Sequence, residues 1–274
     1  MKKTYLLLSI LLFIGIASTF AAKTDTIITY SPSMDKEIPA VVITPDSYNS
    51  EIQFPVLYLL HGHGGNYSSW TSSSDEALQM ADQYNFIIVC PDGNIDSWYF
   101  DSPMDSTSRY ETYVAKELVE WIDSNYKTIP NKKARAITGL SMGGHGALYL
   151  AFRHQDVYGA CGSMSGGVDI RPFPNNWGMK KYLGNQSEHP KNWENNTVLN
   201  MLHLLTPNNL AITIDCGTGD FFYDVNLRLH KELNYRNIPH TFISRPGVHN
   251  WDFWKMSVKY HALFFAEYFS QTSL

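Results

Sequence analysis

Cysteine is scarce in this chain: only Cys90, Cys161 and Cys216 occur among its 274 residues. Three thiols cannot all pair within one chain, and none has the spacing of a zinc site or a CxxC redox pair. Cys161 and Cys216 each fall at a predicted strand, so a bridge between them requires neighbouring strands. Buried free thiols are the favoured alternative.

Positive charge is also in short supply. Lys and Arg number 21 against 26 acids, which gives a formal net charge of −5. The first 21 residues include Lys2 and Lys3 and no acid, so their removal makes the chain more negative. This balance argues against a nucleic-acid partner. With 44% hydrophobic residues, residues 22–274 are expected to form one catalytic domain around its own core.

Long apolar runs are absent beyond the N-terminus. There, Met-Lys-Lys precedes an apolar run from Tyr5 to Ala17 and small residues at Thr19 and Ala21. This pattern predicts a signal peptide over residues 1–21, cleaved before Ala22. The run is short for a membrane anchor, and no cysteine follows the cleavage point to carry a lipid. The sequence therefore predicts a periplasmic or secreted protein without a membrane anchor.

Short apolar runs rich in Val, Ile and Tyr alternate with helical segments. Helices are predicted at Glu111–Ser124 and Gly144–Phe152 from apolar residues at helical spacing. The alternation predicts an α/β fold in which helices flank a mostly parallel central sheet. The predicted strands are Thr26–Tyr30, Ala40–Thr44, Val56–Leu60, Phe86–Cys90, Ala134–Leu140, Gly159–Met164, Ala211–Cys216 and His240–Ser244.

One irregular segment, residues 166–209, interrupts this rhythm. It is rich in Asn, Pro and Trp, and no repeat or linker marks it as a separate module. Loops of this length are usually functional. Two interpretations stay open: a surface excursion that packs on Trp177 and Trp193, or a partial lid over the functional site.

The strongest chemical motif is the G-x-S-x-G sequence at residues 139–143, between a predicted strand and a predicted helix. This context is that of a nucleophile elbow, a sharp turn in which glycines remove Cβ clashes and the serine hydroxyl stands above the sheet. Ser141 is therefore the predicted nucleophile.

A second glycine-rich turn, His61 to Gly65, follows the predicted strand Val56–Leu60. Acyl transfer needs backbone N–H groups aimed at the developing oxyanion, and we assign them to His63 and Met142. His61 and His63 could instead form half of a metal site, but no third ligand stands at a suitable spacing. The sequence predicts neither a metal nor a cofactor.

The acid and the base are expected after the last two core strands, in the order Ser, acid, His. Asp220 lies on a glycine turn after the strand Ala211–Cys216, and His249 follows the final strand. Asp215 lies within the strand, where its side chain faces one side of the sheet, so Asp220 is favoured. Asp252 is a third, weaker alternative.

Taken together, these motifs resemble the esterase group that includes esterase D-like proteins, feruloyl and acetylxylan esterases of carbohydrate esterase family 1, and mycolyltransferase antigens. The resemblance spans nearly all of residues 22–274 and implies an α/β-hydrolase fold with Ser141, Asp220 and His249 as the triad. It also implies that Trp98 and Trp251 line the pocket mouth. The chain departs from many members in having Gly219 where they carry Glu. The matching segments are Tyr58–Gly65, Pro91–Gly93, Ser97–Tyr99, Tyr110–Tyr113, Gly139–Gly144, Cys216–Phe221 and His249–Trp251.

The sequence thus predicts a secreted serine carboxylesterase that forms an acyl-serine intermediate. The expected substrates are small-molecule or polysaccharide esters, with short acyl or hydroxycinnamoyl groups on carbohydrate. Two alternatives remain: an acyltransferase to a sugar hydroxyl, and a catalytically inactive carbohydrate-binding protein. The sequence makes no prediction of oligomeric state.

Overall fold

The computed structural model describes residues 22–272, and the predicted signal peptide, residues 1–21, lies outside them. A single eight-stranded sheet forms the centre, in the order β1-β2-β4-β3-β5-β6-β7-β8. β1 and β2 are antiparallel to their neighbours, whereas β3 to β8 are mutually parallel. The strands are β1 (Lys23–Ser31), β2 (Lys36–Thr44), β3 (Val56–Leu60), β4 (Ile87–Pro91), β5 (Arg135–Gly139), β6 (Ala160–Met164), β7 (Ala211–Gly217) and β8 (Thr241–Arg245).

All eight predicted strands are confirmed, with shifts at their ends. The largest shift is in the first two, which begin at Lys23 and Lys36, because their charged and polar ends carry little apolar signal. β3 to β6 are buried at every residue, which explains the continuous apolar runs of β3 and β4. The edge strands β1 and β8 are the most exposed.

Helices cover both faces of this sheet. The predicted helix at Glu111–Ser124 is present as α3 and α4, joined by a π-helical turn at Tyr113–Glu117. Among the described residues, none of the helices combines the length and the apolar character that a bilayer crossing needs. The helices are α1 (Ser69–Ser72), α2 (Glu76–Tyr84), α3 (Tyr110–Thr112), α4 (Leu118–Asn125), α5 (Met142–Arg153), α6 (Met179–Leu183), α7 (Pro190–Asn195), α8 (Tyr223–Tyr235) and α9 (Trp251–Thr272).

The core has two halves, one on each side of the sheet. Alternate residues of β3 point to opposite faces: Tyr58 packs with residues of α4, α5 and α8, whereas Leu57 and Leu59 pack with residues of α2 and α9. This arrangement is a three-layer α/β/α stack, as predicted. It leaves the carboxyl ends of β3 to β8 aligned along one edge, where loops can meet.

The irregular segment 166–209 is ordered and contains α6 and α7. Its Trp193 is fully buried, and the indole N–H donates to the Gly184 carbonyl over 3.0 Å. Trp177 is only half-buried. The first part of this segment, around Trp177, therefore differs from the second, which is anchored in the core.

The three cysteines are free thiols buried in β4, β6 and β7. β6 and β7 are neighbours, but their register pairs Cys161 with Ile212, so Cys216 lies further along its strand. The alternative bridge between Cys161 and Cys216 is not formed. Burial raises the pKa of the Cys90 thiol to about 12 and raises the pKa of the other two as well.

Candidate active site

Ser141 occupies a sharp turn between β5 and α5. Its φ of 55° and ψ of −116° are unusual for a residue with a side chain, and its amide donates to the Met164 carbonyl over 2.8 Å. The turn is tight enough that a Cβ on Gly139 or Gly143 would lie 2.6–2.7 Å from backbone atoms. Glycine is therefore required on both sides of the serine, and the strain is held by the surrounding sheet.

Two other turns at the same edge bring a carboxylate and an imidazole to this serine. Asp220 follows β7 and His249 follows β8. The Nε2 of His249 is 2.9 Å from the Ser141 Oγ, and its Nδ1 is 2.8 Å from the Asp220 Oδ2. The second oxygen of Asp220 accepts from the Phe222 amide over 2.8 Å, which fixes the carboxylate.

This line of hydrogen bonds defines the tautomer of the imidazole. The Asp220 carboxylate can only accept, so the Nδ1–H of His249 donates to it. Nε2 is then left as the acceptor for the Ser141 hydroxyl proton. The three residues predicted from the sequence thus meet in the order that proton transfer from a serine requires.

The two alternative acids lie elsewhere. Asp215 is buried in β7 and pairs with Arg245 at 3.4 Å. Burial raises the pKa of Asp215 despite this partner and the nearby Ser257. Asp252 is exposed in the first turn of α9. The hydrogen bond to His249 comes from Asp220 rather than from either of them.

The glycine-rich turn after β3 lies against the elbow. A Cβ on Gly62 would stand 2.5 Å from the Leu140 side chain and 3.4 Å from the Cβ of Ser141. Within residues 22–272, the amides of His63 and Met142 donate to no backbone carbonyl. Two free N–H groups beside a serine are the arrangement expected of an oxyanion hole.

His61, the other histidine of this turn, has a structural contact at each ring nitrogen. Its Nδ1 donates to the Gly62 carbonyl over 2.8 Å, and its Nε2 accepts from the Gly93 amide over 2.8 Å. Burial lowers the pKa of His61, in keeping with a neutral ring. The residue therefore clamps the turn after β3 to the turn after β4. Across residues 22–272, no three His, Cys, Asp or Glu side chains are grouped so that they could hold a metal ion.

A cleft of about 400 Å³ opens above Ser141. Its lining includes Trp251, as expected from the sequence, and also Trp177, Phe221 and Trp254. The Phe221 ring centroid lies 4.2 Å from that of His249, and that of Trp254 lies 4.9 Å from it. Sequence reasoning missed these three residues, although Phe221 directly follows the acid.

Trp98 corrects one expectation. It is 1% exposed and does not line this cleft; its ring packs against His145 of α5. A positive φ of 54° turns its backbone, and a Cβ on Gly167 would meet the ring at 2.8 Å. Its indole N–H instead donates to the Trp177 carbonyl over 3.2 Å. Trp98 therefore does not line the cleft itself but holds Trp177, a residue that does.

A larger polar cavity of about 760 Å³ lies apart from this cleft, around Glu111. Glu111 is 7% exposed and accepts from Tyr149, Arg153 and His154 at 2.7–2.9 Å. Burial opposes its charge, but these hydrogen bonds outweigh that effect and lower the pKa of Glu111 to about 2. The cavity holds no serine next to a histidine, so size alone does not mark the reactive site.

Comparison with known proteins agrees with this geometry. Residues 31–263 match the protein family described as "Putative esterase". The chain belongs to this esterase family. Membership confirms the resemblance inferred from the motifs, and the sheet described above confirms the predicted fold of that family.

Individual relatives of the chain include proteins named as esterases. The chain is 34% identical to an esterase of Mycobacterium tuberculosis over 134 residues, which are 47% of this chain and 29% of that protein. It thus spans less than a third of that relative. An acetyl esterase of Caldicellulosiruptor saccharolyticus is 27% identical over 246 residues, covering 82% of this chain and 91% of that protein. A solved ferulic acid esterase superimposes with a TM-score of 0.79 at 26% identity, covering 92% of this chain and all of that one.

Proposed function

We propose that this esterase is a serine carboxylesterase in which Ser141 is the nucleophile, His249 the general base and Asp220 the residue that orients it. One observation carries the proposal: the strained serine lies 2.9 Å from an imidazole that is held at 2.8 Å by a buried carboxylate. Residues 22–274 would act as one catalytic unit.

The reaction follows from these groups. The Ser141 Oγ forms a bond to the ester carbonyl carbon while its proton passes to the His249 Nε2. The carbonyl electron pair becomes an oxyanion that accepts from the His63 and Met142 amides, each donor lowering the barrier by roughly 3 kcal/mol. Collapse breaks the bond to the alcohol oxygen, which takes the proton from His249. Water then repeats the sequence on the acyl-serine and releases the acid.

We further propose short acyl or hydroxycinnamoyl esters of carbohydrate as substrates. The cleft combines aromatic rings with hydroxyl and amide side chains, and this mixture suits a sugar ester better than a long lipid chain. The similarity to an acetyl esterase and to a ferulic acid esterase supports the same substrate class. At about 400 Å³ the cleft is near the small end of ligand sites, which suits a short ester.

A fluorophosphonate probe followed by peptide mass spectrometry tests the nucleophile. We expect a single adduct on Ser141 and none in His249→Ala, because the probe reacts only with an activated serine. No labelling of the wild type would contradict the proposal and favour an inactive binding protein. Product analysis with excess sugar then separates hydrolysis from transfer, since transfer yields a new sugar ester in place of free acid.

The N-terminal pattern supports export of this esterase through a cleavable signal over residues 1–21. Expression in a bacterial host with the full-length chain, followed by intact-mass measurement of the periplasmic fraction, examines this directly. A mass corresponding to a start at Ala22 is expected. A full-length mass retained in the cytoplasm would contradict it.

A further inference from the structure

The imidazole of His249 is hydrogen-bonded at its two nitrogens, and both bonds lie at the edge of the ring. Nδ1 is 2.8 Å from Asp220, and Nε2 is 2.9 Å from Ser141. The turn that carries His249 is at the surface, since Val248 is 50% exposed and Asn250 is exposed as well. Because a hydrogen bond weakens as donor and acceptor lose alignment, a tilt of the ring would weaken its contact with the serine. Packing of neighbouring side chains on the ring can prevent that tilt.

Three aromatic side chains surround this imidazole, and we call them the aromatic frame: Phe221, Phe222 and Trp254. Their ring centroids lie 4.2, 5.6 and 4.9 Å, respectively, from that of His249. Phe221 is 52% exposed and lines the cleft, so it is also placed to touch a substrate. Phe222 and Trp254 are only 1% and 7% exposed. Trp254 is the nearer of these two buried rings, and it stands at 89° to the imidazole plane.

Trp254 belongs to a row of three indoles that leads to the turn after β3. Its ring centroid is 5.7 Å from that of Trp251, and the Trp251 centroid is 5.2 Å from that of Trp70. Trp70 is fully buried, and its indole N–H donates to the Leu60 carbonyl over 3.1 Å. Leu60 ends β3 and precedes the glycine-rich turn that contains His63. The packing that places Trp254 beside the base therefore extends to the strand end next to the proposed oxyanion hole.

The surroundings of the Trp254 indole indicate that ring packing sets its place. Within residues 22–272, its N–H is buried and has no hydrogen-bond partner. An unpaired buried N–H opposes folding, and phenylalanine at this position would avoid that cost. Perpendicular aromatic pairs are favoured when their centroids are about 4.5–7 Å apart, and the pair with His249 meets this description. A tilt of the imidazole would break this contact, so the ring resists the tilt.

We propose that Trp254 is a positioning residue for the base: its ring holds the His249 imidazole in line with the Ser141 hydroxyl. The indole acts through His249 and needs no contact with the substrate. The effect on catalysis rests on the proposed esterase function, whereas the orientation of the imidazole can be measured without a substrate. Because every ester uses the same base, loss of the ring should impair the cleavage of all esters alike.

Steady-state kinetics on p-nitrophenyl acetate and p-nitrophenyl butyrate provide the first test. Trp254→Leu keeps an apolar side chain but removes the ring, and we expect it to lower kcat about tenfold for both esters, near the upper end of what an aromatic pair contributes. KM should stay within about twofold, because acylation and deacylation use the same base and slow down together. Trp254→Phe keeps a ring, so its kcat should stay within about threefold of the wild type. Trp254→Met takes the place of the Leu variant if that chain does not fold.

Proton NMR supplies a readout that needs no substrate. The Nδ1–H of His249 donates to the Asp220 carboxylate, and a proton in such a bond resonates far downfield. Asp220→Asn should abolish the signal and thereby assigns it. We expect a sharp signal in the wild type and in Trp254→Phe. It should broaden in Trp254→Leu, because a ring that tilts lets this proton exchange with water.

Trp193→Leu is the matched control, since it makes the same substitution at a fully buried tryptophan that does not line the cleft. It removes the hydrogen bond to Gly184, so Tm should fall. Both kcat and the downfield signal should stay as in the wild type. Circular dichroism melting gives the Tm of every variant, and the kinetics and spectra are recorded well below the lowest of them.

The outcomes separate this inference from the proposed function. If the wild type cleaves neither ester and takes no fluorophosphonate label, the proposed function fails, and the NMR signal alone decides whether Trp254 holds the imidazole. If the wild type is active but Trp254→Leu changes KM alone, affects one acyl chain only or leaves the signal sharp, Trp254 is not a positioning residue while the esterase function stands. Equal losses of kcat in Trp254→Phe and Trp254→Leu, or an equal loss in Trp193→Leu, would also overturn the inference, because the effect would then come from a loosened core rather than from the ring.

Discussion

Residues 22–272 contain two histidine–carboxylate hydrogen bonds of nearly equal length in very different surroundings. His249 is 2.8 Å from Asp220 in the cleft, and His154 is 2.9 Å from Glu111 in the larger polar cavity. The remaining nitrogen of His249 faces a serine hydroxyl. Glu111 is instead shared with an arginine and a tyrosine. In the proposed mechanism the first hydrogen bond supports the base, whereas the second attaches α3 to the end of α5.

The carboxylates of Asp220, Glu111 and Asp215 differ in whether an arginine compensates their charge. Within the described residues 22–272, His249 is the one basic side chain at ion-pair distance from Asp220, so the carboxylate charge acts on the imidazole. The charge of Glu111 is compensated by Arg153 at 2.8 Å. Asp215 is likewise compensated by Arg245. A carboxylate that already has an arginine partner is less available to stabilise a developing imidazolium.

The largest effects are expected in the cleft pair. Ser141→Ala and His249→Ala should each reduce kcat for ester cleavage by about a thousandfold or more, because nucleophile and base act as a unit. Asp220→Asn should cost nearly as much, since the amide favours the wrong imidazole tautomer. Steady-state kinetics on a short-chain ester measures all three.

Asp215→Asn is the matched control for Asp220→Asn. It removes a buried charge from β7, the strand that leads into Asp220, so it should lower stability while leaving kcat within a few-fold of wild type, as expected of a group outside the reacting unit. Near-normal activity in Asp220→Asn combined with loss in Asp215→Asn would reverse the assignment of the acid.

The cavity pair should show the opposite behaviour. Glu111→Gln removes the negative charge that Arg153 and His154 face. Because Arg153 is partly exposed, we expect the free energy of unfolding to fall by only about 2 kcal/mol. For a domain of this size, that lowers Tm by roughly 4–8 °C, with kcat/KM changed less than twofold. Differential scanning calorimetry measures the shift. Glu194→Gln is the control, because Glu194 lines the same cavity but is exposed, and its Tm should not move.

A third kind of histidine, buried without any carboxylate, sharpens the contrast. Burial lowers the pKa of His145 to about 4 and that of His261 to about 3, from an ordinary value near 6.5. The unfolded chain therefore binds more protons, so stability is full above pH 6.5 and falls as the pH drops toward 4. Each histidine should cost about 2 kcal/mol at pH 5.

Urea unfolding at pH 7.5 and pH 5 measures this loss. His261→Gln removes one titrating group, so its stability should depend less steeply on pH even if its absolute stability is lower. An equal slope in wild type and variant would show that the carboxylates, rather than these histidines, govern the acid response.

The smallest effect is expected from chelation. Dialysis against a strong chelator should leave kcat/KM unchanged within twofold, because amides and an imidazolium provide the charge stabilisation in the proposed mechanism. Loss of activity that zinc or calcium restores would revive a metal role for His61 and His63.

Sequence reasoning predicted that three polar side chains at strand ends would meet, and the structure brings them within hydrogen-bond distance. Ser141, Asp220 and His249 could be located because each follows an apolar strand, and parallel strands bring their carboxyl ends to one edge. Asp220 could be preferred over Asp215 for the same reason, since a residue inside a strand projects into a face of the sheet. The inner strands β3 and β4 could be predicted because both of their faces are covered, which requires continuous apolar runs.

The features that could not be predicted from the sequence are contacts between segments that lie far apart along the chain. Trp98 and Trp177 both lie in irregular sequence, yet Trp98 is buried and Trp177 lines the cleft. No periodicity separates them, because both lie in irregular backbone with positive φ. The partners of Glu111 are 38 to 43 residues away along the chain, so their convergence is a property of how α3 meets α5.

The buried thiols of β4, β6 and β7 provide a way to detect large-scale opening of the sheet. Their exposure is at most 1%, and their raised pKa leaves almost no thiolate at neutral pH. A soluble thiol-labelling dye can therefore react only with molecules whose central sheet has come apart. The labelling rate of the unmodified chain therefore measures rare, large-scale opening, and no disulfide has to be reduced before the thiols can react.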